Sequence, residues 1–257
     1  MRIPQAFEYH AGIQHITLVG LGGSGSQAAR TLCRILHDLR RRRKHLPTVS
    51  FIDPDHVEDK NIGRQMFTEA DLGKNKAVTL ARRFNLAMGL NIIAYPEPFK
   101  VTPRSKHYGE LLIGCVDNHE ARCTLNAAQS LWLDCGNETH SGQVCLGNTN
   151  DLNLIKECLK KKQFRALPNA ALLFPSLLEA PPAAPSTPAA SCAERLEDGS
   201  QSLLVNDLVG IAAGSYLYKL LNQLPLYHFL TWLDSDSLTM RSESIDPKTI
   251  REHLKIT

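Results

Sequence analysis

Four glycines within six residues form the first group in this sequence that could do chemistry. They lie in the stretch GLGGSG, where an apolar run ends and a helical pattern begins: Gly20, Gly22, Gly23 and Gly25. Glycine permits a tight turn, lets the backbone approach a phosphate and lets a helix start close to a strand. The glycines therefore predict a nucleotide-phosphate site, with a strand-to-helix turn that binds no ligand as the alternative.

Two aspartates that follow apolar runs are the next candidate site residues. Asp53 comes directly after Val49–Ile52, and an acid at the end of a second strand can hold ribose hydroxyls. A turn or helix-capping role for Asp53 stays open. Asp117 comes directly after Leu111–Val116, where a carboxylate can hold Mg²⁺ on phosphate oxygens. Its neighbour Asn118 could equally cap the next helix.

The stretch between residues 55 and 77 is too polar to form part of a core. A simple dehydrogenase would not need such a stretch. Arginine and lysine side chains suit a triphosphate, because they supply charge and several N–H donors. The polar side chains of this stretch predict a polyphosphate-binding group, with a solvated loop as the alternative: Asn61, Arg64, Gln65, Lys74 and Lys76.

The elements that must position these residues alternate between strands and helices. This alternation predicts an α/β fold with a Rossmann-like, mostly parallel sheet and flanking helices, and ligands bind beyond the carboxyl ends of such strands. We therefore expect the glycines, Asp53 and Asp117 at one edge. The predicted strands are 15–20, 49–52, 91–95, 111–116, 131–134 and 143–146, and the predicted helices are 24–40, 75–87 and 119–130.

The sequence as a whole predicts one domain in three parts. Residues 1–150 form the nucleotide-binding core, and 151–200 form a crossover or flexible insertion, irregular over the Pro- and Ala-rich 180–191. Residues 201–257 complete the domain with a helix over 201–222 and one or two strands within 226–245. One side of that helix is predicted to carry five apolar residues and one serine: Leu204, Leu208, Ile211, Ala212, Ser215 and Leu220.

Composition narrows the class of protein. A chain of 257 residues with 43% apolar residues can bury a large core, and its net charge of +3 does not favour nucleic acid. The sequence has no apolar run of membrane-spanning length and no signal-peptide core, so we expect a cytoplasmic protein. Seven cysteines without any C-x-x-C pair predict neither a disulfide scaffold nor a four-thiolate zinc site.

Taken in order, four motifs resemble the ThiF/MoeB/HesA family, relatives of the adenylation domain of ubiquitin-activating enzymes. The motifs are GLGGSG, IDPDHVEDKNIGRQ, DLGKNKA and CVDN. The resemblance covers about residues 12–150 well and 190–222 more loosely. Within the family the chain most resembles the ThiF-like members of the PRTRC gene cluster.

The resemblance implies ATP and Mg²⁺ as cofactors and a homodimer. It implies that the C-terminal glycine of a ubiquitin-like protein is adenylated, and it leaves open a conjugating enzyme as a further partner. It places the four glycines on the ATP phosphates and Asp53 on the ribose. The remaining implied roles are triphosphate binding by Asn61, Arg64, Gln65 and Lys76, and Mg²⁺ binding by Asp117 with Asn118 beside it.

Some relatives then pass the acyl group to a cysteine. Cys192 is the first candidate, because it follows the Pro- and Ala-rich segment and lies near Arg195; Cys158, among lysines, is the second. An ordinary free thiol is the alternative for both. Many members also carry C-x-x-C zinc pairs and an N-terminal arginine motif. This sequence offers neither motif, only Arg2, so no zinc is expected.

Other functions stay open at this stage. The adenylated group could be a small carboxylate, a peptide or a tRNA base, and a scaffold could keep the fold without catalysis. Intact Arg64, Lys76 and Asp117 count against a scaffold. The segments KNIGRQ and GKNKA count against an NAD-dependent oxidoreductase.

Overall fold

One sheet of eight strands runs through the part of the chain that the structure describes. The computed structural model describes residues 6, 7, 9, 12–101, 109–180 and 203–256. The strand order is β3-β2-β1-β4-β5-β6-β7-β8. The strands are β1 (His15–Val19), β2 (Thr48–Ile52), β3 (Ile92–Tyr95), β4 (Glu110–Gly114), β5 (Leu131–Asn137), β6 (Ser141–Gly147), β7 (His228–Asp234) and β8 (Thr239–Ser244).

The register brings the strand ends predicted to carry the site to a common edge. Strands β3, β2, β1, β4 and β5 are parallel, and β6, β7 and β8 continue the sheet antiparallel. Val19 pairs with Ile52 on one side and with Gly114 on the other. The residues that follow these three strand ends therefore meet, and the predicted Rossmann-like, mostly parallel sheet is confirmed.

Helices cover the sheet. Helix α1 buries the predicted apolar stripe, including Ala28, Leu32 and Leu36, and ends in a basic turn where cations suit the helix dipole. The helices are α1 (Gly23–Arg41), α2 (Lys76–Met88), α3 (His119–Ala127), α4 (Leu152–Lys161), α5 (Ala170–Leu173), α6 (Val205–Leu221) and α7 (Pro247–Leu254).

Helices α1 and α6 pack unusually close together. A Cβ built on Gly210 of α6 would lie 2.7 Å from the Cβ of Gln27 and 2.9 Å from its carbonyl carbon. An ion pair at 3.3 Å joins Arg30 of α1 to Asp207 of α6. The C-terminal helix is thus fixed to the helix that follows the glycine loop.

The sequence predicts a crossover or flexible insertion over 151–200, whereas the structure places α4 and α5 in its first part. Asp151 caps α4 by accepting hydrogen bonds from the N–H groups of Asn153 and Leu154, and one side of the helix is buried. The lysine run at its end is the solvated last turn of this helix. Helix α7 is a third helix that the sequence did not predict.

Two smaller expectations are also corrected. Strand β4 ends at Gly114, so Asp117 follows it after a short turn instead of directly. On α6 the predicted apolar side is only partly buried, because Ala212 and Leu220 are buried but Ile211 is 55% exposed. The buried side also includes Val209 and Leu217, which the prediction left out. A helix that is apolar on nearly all sides gives no periodic signal for its buried face.

Residues 181–202, which hold most of the predicted irregular loop and Cys192, lie outside the described residues. The three-part division of the chain therefore stays a prediction. Among the residues that are described, no helix is long and apolar enough to span a membrane.

We predict that Gly210→Ala destabilises the protein. The added methyl group must displace the backbone of α1, and such overpacking costs about 1–3 kcal/mol, which outweighs the gain of about 1 kcal/mol in helix propensity. Urea unfolding should show a lower free energy of unfolding. Ser215→Ala, on the exposed side of the same helix, should leave stability unchanged or slightly raised; equal stability of both variants would contradict the close packing.

Candidate nucleotide-binding site

Two of the four loop glycines are required by the fold itself. Gly20 has a φ of +83°, and a Cβ there would lie 2.5 Å from the carbonyl oxygen of Cys115. A Cβ on Gly25 would lie 1.9 Å from the carbonyl oxygen of Gly20. Because Gly25 has no side chain, α1 can start directly against the end of β1.

Gly22 differs from the other glycines of the loop. A Cβ on Gly23 would lie 2.6 Å from Oδ1 of Asn206, so packing explains that glycine as well. A Cβ on Gly22 would have a single neighbour within 4 Å, Nε2 of Gln65 at 3.9 Å. Packing therefore does not explain Gly22, and its backbone borders open space that a ligand can enter.

The N-terminus of α1 is not capped by any side chain and has no acidic residue in its first turn. Side chains cap α2 through α5 and α7: Asn75, Asn118, Asp151, Asn169 and Asp246. A helix start without such a cap leaves N–H donors and a partial positive charge. In α1 the free N–H donors lie at the same edge of the sheet as Gly22, so the loop can bind an anion.

Asp53 ties the end of β2 to the glycine loop. Its buried carboxylate accepts hydrogen bonds from the N–H groups of Leu21 at 2.5 Å and Asp55 at 2.8 Å. Burial raises the pKa of the Asp53 carboxyl above its ordinary value, although both N–H groups and the nearby Lys76 act in the opposite direction. Each carboxylate oxygen can still accept another hydrogen bond, so the turn role and ribose binding are compatible.

Asn75 is a structural residue of the site that the sequence analysis did not single out. Its Nδ2 donates to the carbonyl oxygens of Asp53 at 2.8 Å and Asp55 at 3.0 Å. Its Oδ1 accepts from the N–H of Val78 and so caps α2. The signal available in the sequence was an asparagine immediately before a helical pattern, which is typical of an N-cap.

Lys76 lies in the first turn of α2, buried except for a small fraction of its side chain. Its Nζ is 3.0 Å from Oδ2 of Asp55, whose carboxylate is largely exposed. An ion pair with an exposed partner remains open to a competing anion. The structure therefore places this lysine charge on the turn that carries Asp53.

Asn61, Arg64 and Gln65 lie on a short segment that contacts α1. Asn61 is buried, and its Oδ1 accepts from the N–H of Glu58 at 2.9 Å, which stabilises a 3-10 turn over Asp59–Asn61. The N–H of Met66 donates to Oγ of Ser26 in α1 at 3.3 Å. Arg64 is half-buried.

Gln65 is buried beside Gly22, and its Oε1 has no hydrogen-bond partner among the described residues. A buried acceptor without a donor is costly, and a bound molecule can supply the donor. The open space at Gly22 fits a ligand in the loop, and a hydroxyl or amino group of that ligand would satisfy Oε1, since phosphate oxygens only accept hydrogen bonds.

Asp117 and Asn118 are both exposed beyond the end of β4. Asn118 caps α3 by accepting from the N–H of Ala121 at 2.8 Å, so the capping alternative is confirmed for that residue. Within the described residues, Asp117 shows no hydrogen bond or ion pair. No group of three or more His, Cys, Asp or Glu side chains there could hold a metal ion by itself.

The thiols divide by exposure. Cys158, the second candidate for an acyl acceptor, is buried on α4, so the structure contradicts that hypothesis. Cys135 and Cys145 are buried. The hydrogen bond with Cys115, followed by burial, raises the pKa of the Cys135 thiol, and burial raises the pKa of the Cys145 thiol. Cys192 lies outside the described residues, and its role stays a prediction.

Comparisons with known proteins agree with this architecture. Solved structures of similar fold include Escherichia coli MccB with succinimide, at 16% identity and a TM-score of 0.58, covering 90% of this chain and 64% of that one. PaaA is similar at 16% identity and 0.57, covering 90% and 64%. The chain thus spans less than two thirds of their length. No curated protein matches the sequence.

The sheet order and glycine loop define a Rossmann-like α/β protein. The ThiF family model matches residues 3–253, nearly the whole sequence. The chain belongs to the ThiF family.

We predict that Asn75→Ala lowers the free energy of unfolding by roughly 2–3 kcal/mol, because it removes a helix cap and two further hydrogen bonds. Asn118→Ala removes a single capping bond and should cost only about 1 kcal/mol. Denaturant unfolding of the two variants checks the difference. A smaller loss for Asn75→Ala than for Asn118→Ala would show that Asn75 does not hold the Asp53 turn.

Proposed function

We propose that this protein adenylates the C-terminal carboxylate of a polypeptide with ATP. The observation that carries the proposal is the open, uncapped start of α1 at Gly22, where packing does not explain the glycine. Membership of the ThiF family supports the reaction class. Solved structures of the similar MccB include complexes with ATP and with AMPCPP.

Each predicted residue has a role that its position supports. The first turn of α1 and the Gly22 backbone would hold phosphate oxygens, and Asp53 would accept ribose hydroxyls. Gln65 lies beside Gly22, and Asn61 would contact the triphosphate from the same segment. Arg64 and Lys76 would neutralise the triphosphate. The two residues beyond β4 complete the site: Asp117 and Asn118.

Mg²⁺ fits the exposed position of Asp117, because this ion is usually held by one or two carboxylates together with phosphates and water. When bound, the ion would neutralise charge on the phosphates. Asp117 would hold it at the edge where the α1 start lies. Zinc has no proposed role.

The chemistry joins two anions. A carboxylate oxygen of the substrate attacks the α-phosphorus of ATP, an acyl-phosphate bond forms, and the bond to the β-phosphate bridging oxygen breaks, so pyrophosphate leaves. Cationic groups and helix N–H donors lower the cost of bringing the anions together and hold them in line. Arg64 and Lys76 are the cations proposed for this task.

Two substrates are consistent with this reaction. The sequence motifs favour a ubiquitin-like protein ending in glycine, as in ubiquitin-activating enzymes. A shorter polypeptide is the second candidate, since MccB has been solved with an MccA that carries selenomethionine and with one that is N-formylated. Membership of the PRTRC group, a cytoplasmic location, a conjugating enzyme downstream and thioester transfer through Cys192 remain part of the proposal.

A homodimer is also proposed. Three large exposed hydrophobic side chains follow one another at intervals of seven residues, one at the N-cap of α6 and two on the helix: Leu204, Ile211 and Tyr218. A spacing of seven keeps residues on one helix face, and an exposed apolar face favours association. A second copy of this chain is the proposed occupant.

ATP–pyrophosphate exchange with candidate polypeptides tests the reaction. We expect exchange with one polypeptide ending in glycine and a loss of about 100-fold or more in Asp117→Ala, in line with the removal of a group that stabilises developing charge. Cys192→Ala should retain exchange, because thioester transfer follows adenylation. Absence of exchange with every candidate, together with NAD binding, would contradict the proposal and favour an oxidoreductase.

Gly22→Ala separates ligand binding from folding. The methyl group enters open space, so the free energy of unfolding should change by less than about 1 kcal/mol, while the KM for ATP should rise by about 10-fold or more through loss of phosphate contact. Gly25→Ala is the matched control and should fail to fold stably. Unchanged ATP affinity in Gly22→Ala would place the phosphates elsewhere.

A further inference from the structure

Three polar side chains from distant parts of the chain meet directly behind the glycine loop. Oγ of Ser24, in the first turn of α1, lies 2.9 Å from Oδ1 of Asn206 on α6 and 3.1 Å from Oδ1 of Asn137 at the end of β5. Asn206 is only 1% exposed. Ser24 belongs to the GLGGSG motif, whereas Asn137 and Asn206 lie outside all four family motifs quoted above.

The hydroxyl of Ser24 carries one proton, so it can donate to only one of the two amide oxygens. Both contacts become hydrogen bonds if the Asn206 carboxamide is turned, because Nδ2 then donates to Ser24 and Ser24 donates to Asn137. The cluster then has one direction, from Asn206 through Ser24 to Asn137. In the structure as it stands, Nδ2 of Asn206 is buried without a partner, which favours this arrangement.

The same carboxamide also fixes the backbone of the loop. A Cβ on Gly23 would lie 2.6 Å from Oδ1 and 2.7 Å from Nδ2 of Asn206, so the amide group lies directly against Gly23. The next residue, Asp207, pairs with Arg30, which lies nearly two turns beyond Ser24 on α1. Helix α6 therefore contacts the start of α1 through two polar links, at Asn206 and at Asp207.

We propose that Asn206 is a positioning residue for nucleotide binding. It holds the Ser24 hydroxyl and the Gly23 backbone so that the N–H groups of the first turn of α1 converge on the phosphates. The inference rests on the proposed ATP site, and it adds a residue from the C-terminal helix that does not itself touch the nucleotide.

Equilibrium binding of ATP with Mg²⁺ to the full chain, measured by calorimetry, tests this role without any acceptor substrate. Asn206→Ala should weaken ATP binding by about tenfold, the equivalent of one hydrogen bond in a binding site. Asn206→Asp keeps the side-chain shape but places a carboxylate beside the phosphates. It should weaken binding at least as much as alanine does, while its midpoint of thermal unfolding stays closer to that of the wild type, because an acid suits a helix N-terminus.

Tyr216→Phe is the matched control on the same helix. It removes the buried hydrogen bond between the Tyr216 hydroxyl and Oγ1 of Thr231, 2.9 Å apart, which does not involve α1. It should lower the thermal midpoint and leave ATP affinity unchanged. Ser24→Ala should weaken ATP binding as Asn206→Ala does, and the double variant should be no weaker than either single variant, because the two residues act as one unit.

Several results would overturn the inference. ATP affinity equal to that of the wild type in both Asn206 variants would show that the residue only fills space. Equal weakening by Tyr216→Phe would assign the effect to general destabilisation. If Asn206→Ala does not fold, the ATP affinities of Asn206→Asp and Ser24→Ala decide whether Asn206 positions the loop. A wild-type chain that does not bind ATP would instead refute the proposed function, and the inference with it.

Discussion

The contact between Gly25 of α1 and the carbonyl oxygen of Gly20 is the constraint on which the rest of the structure depends. A Cβ at Gly25 would approach that oxygen to 1.9 Å, so the helix can begin where it does only because the residue lacks a side chain. This contact aims the N-terminus of α1 at the carboxyl edge of the sheet. All other groups of the candidate site gather around that helix start.

The surrounding residues hold the edge in place by hydrogen bonds instead of apolar packing. Asp53 accepts the N–H of Leu21 and thereby joins the end of β2 to the loop. Asn75 joins the following turn to α2, and Asn206 joins α6 to Ser24. Since the backbone is fixed by these bonds, the uncapped N–H groups of α1 are preorganised for an anion, which lowers the cost of binding.

Much of this site could be predicted from the sequence because its signals are local. A buried parallel strand is a continuous apolar run, and a glycine cluster after it marks a tight strand-to-helix turn, so β1, α1 and their loop followed from residues 15–40. Asp53 and Asp117 were found for the same reason. Helix α4 had a usable signal in Asp151 before an amphipathic stretch, but all of 151–200 was predicted to be a crossover or flexible insertion.

The remainder could not be predicted because it depends on contacts between distant residues. Asn206 and Ser24 are 182 positions apart, and nothing in either local sequence shows that they meet. The sequence also did not show which side of α6 is exposed, since that helix is apolar on nearly all sides. Likewise, the sequence could not separate Gly22 from the three glycines that packing requires.

Hydrogen–deuterium exchange with and without ATP and Mg²⁺ tests most directly whether the start of α1 is the nucleotide site. We expect ATP to protect peptides that contain Gly20–Gly25 and Asn61–Gln65. The polar cleft at the opposite edge of the sheet, lined by residues such as Asn126, Asn148 and Arg165, should show no change. Binding of ATP without protection of Gly20–Gly25, or with protection confined to that cleft, would contradict the assignment of the site.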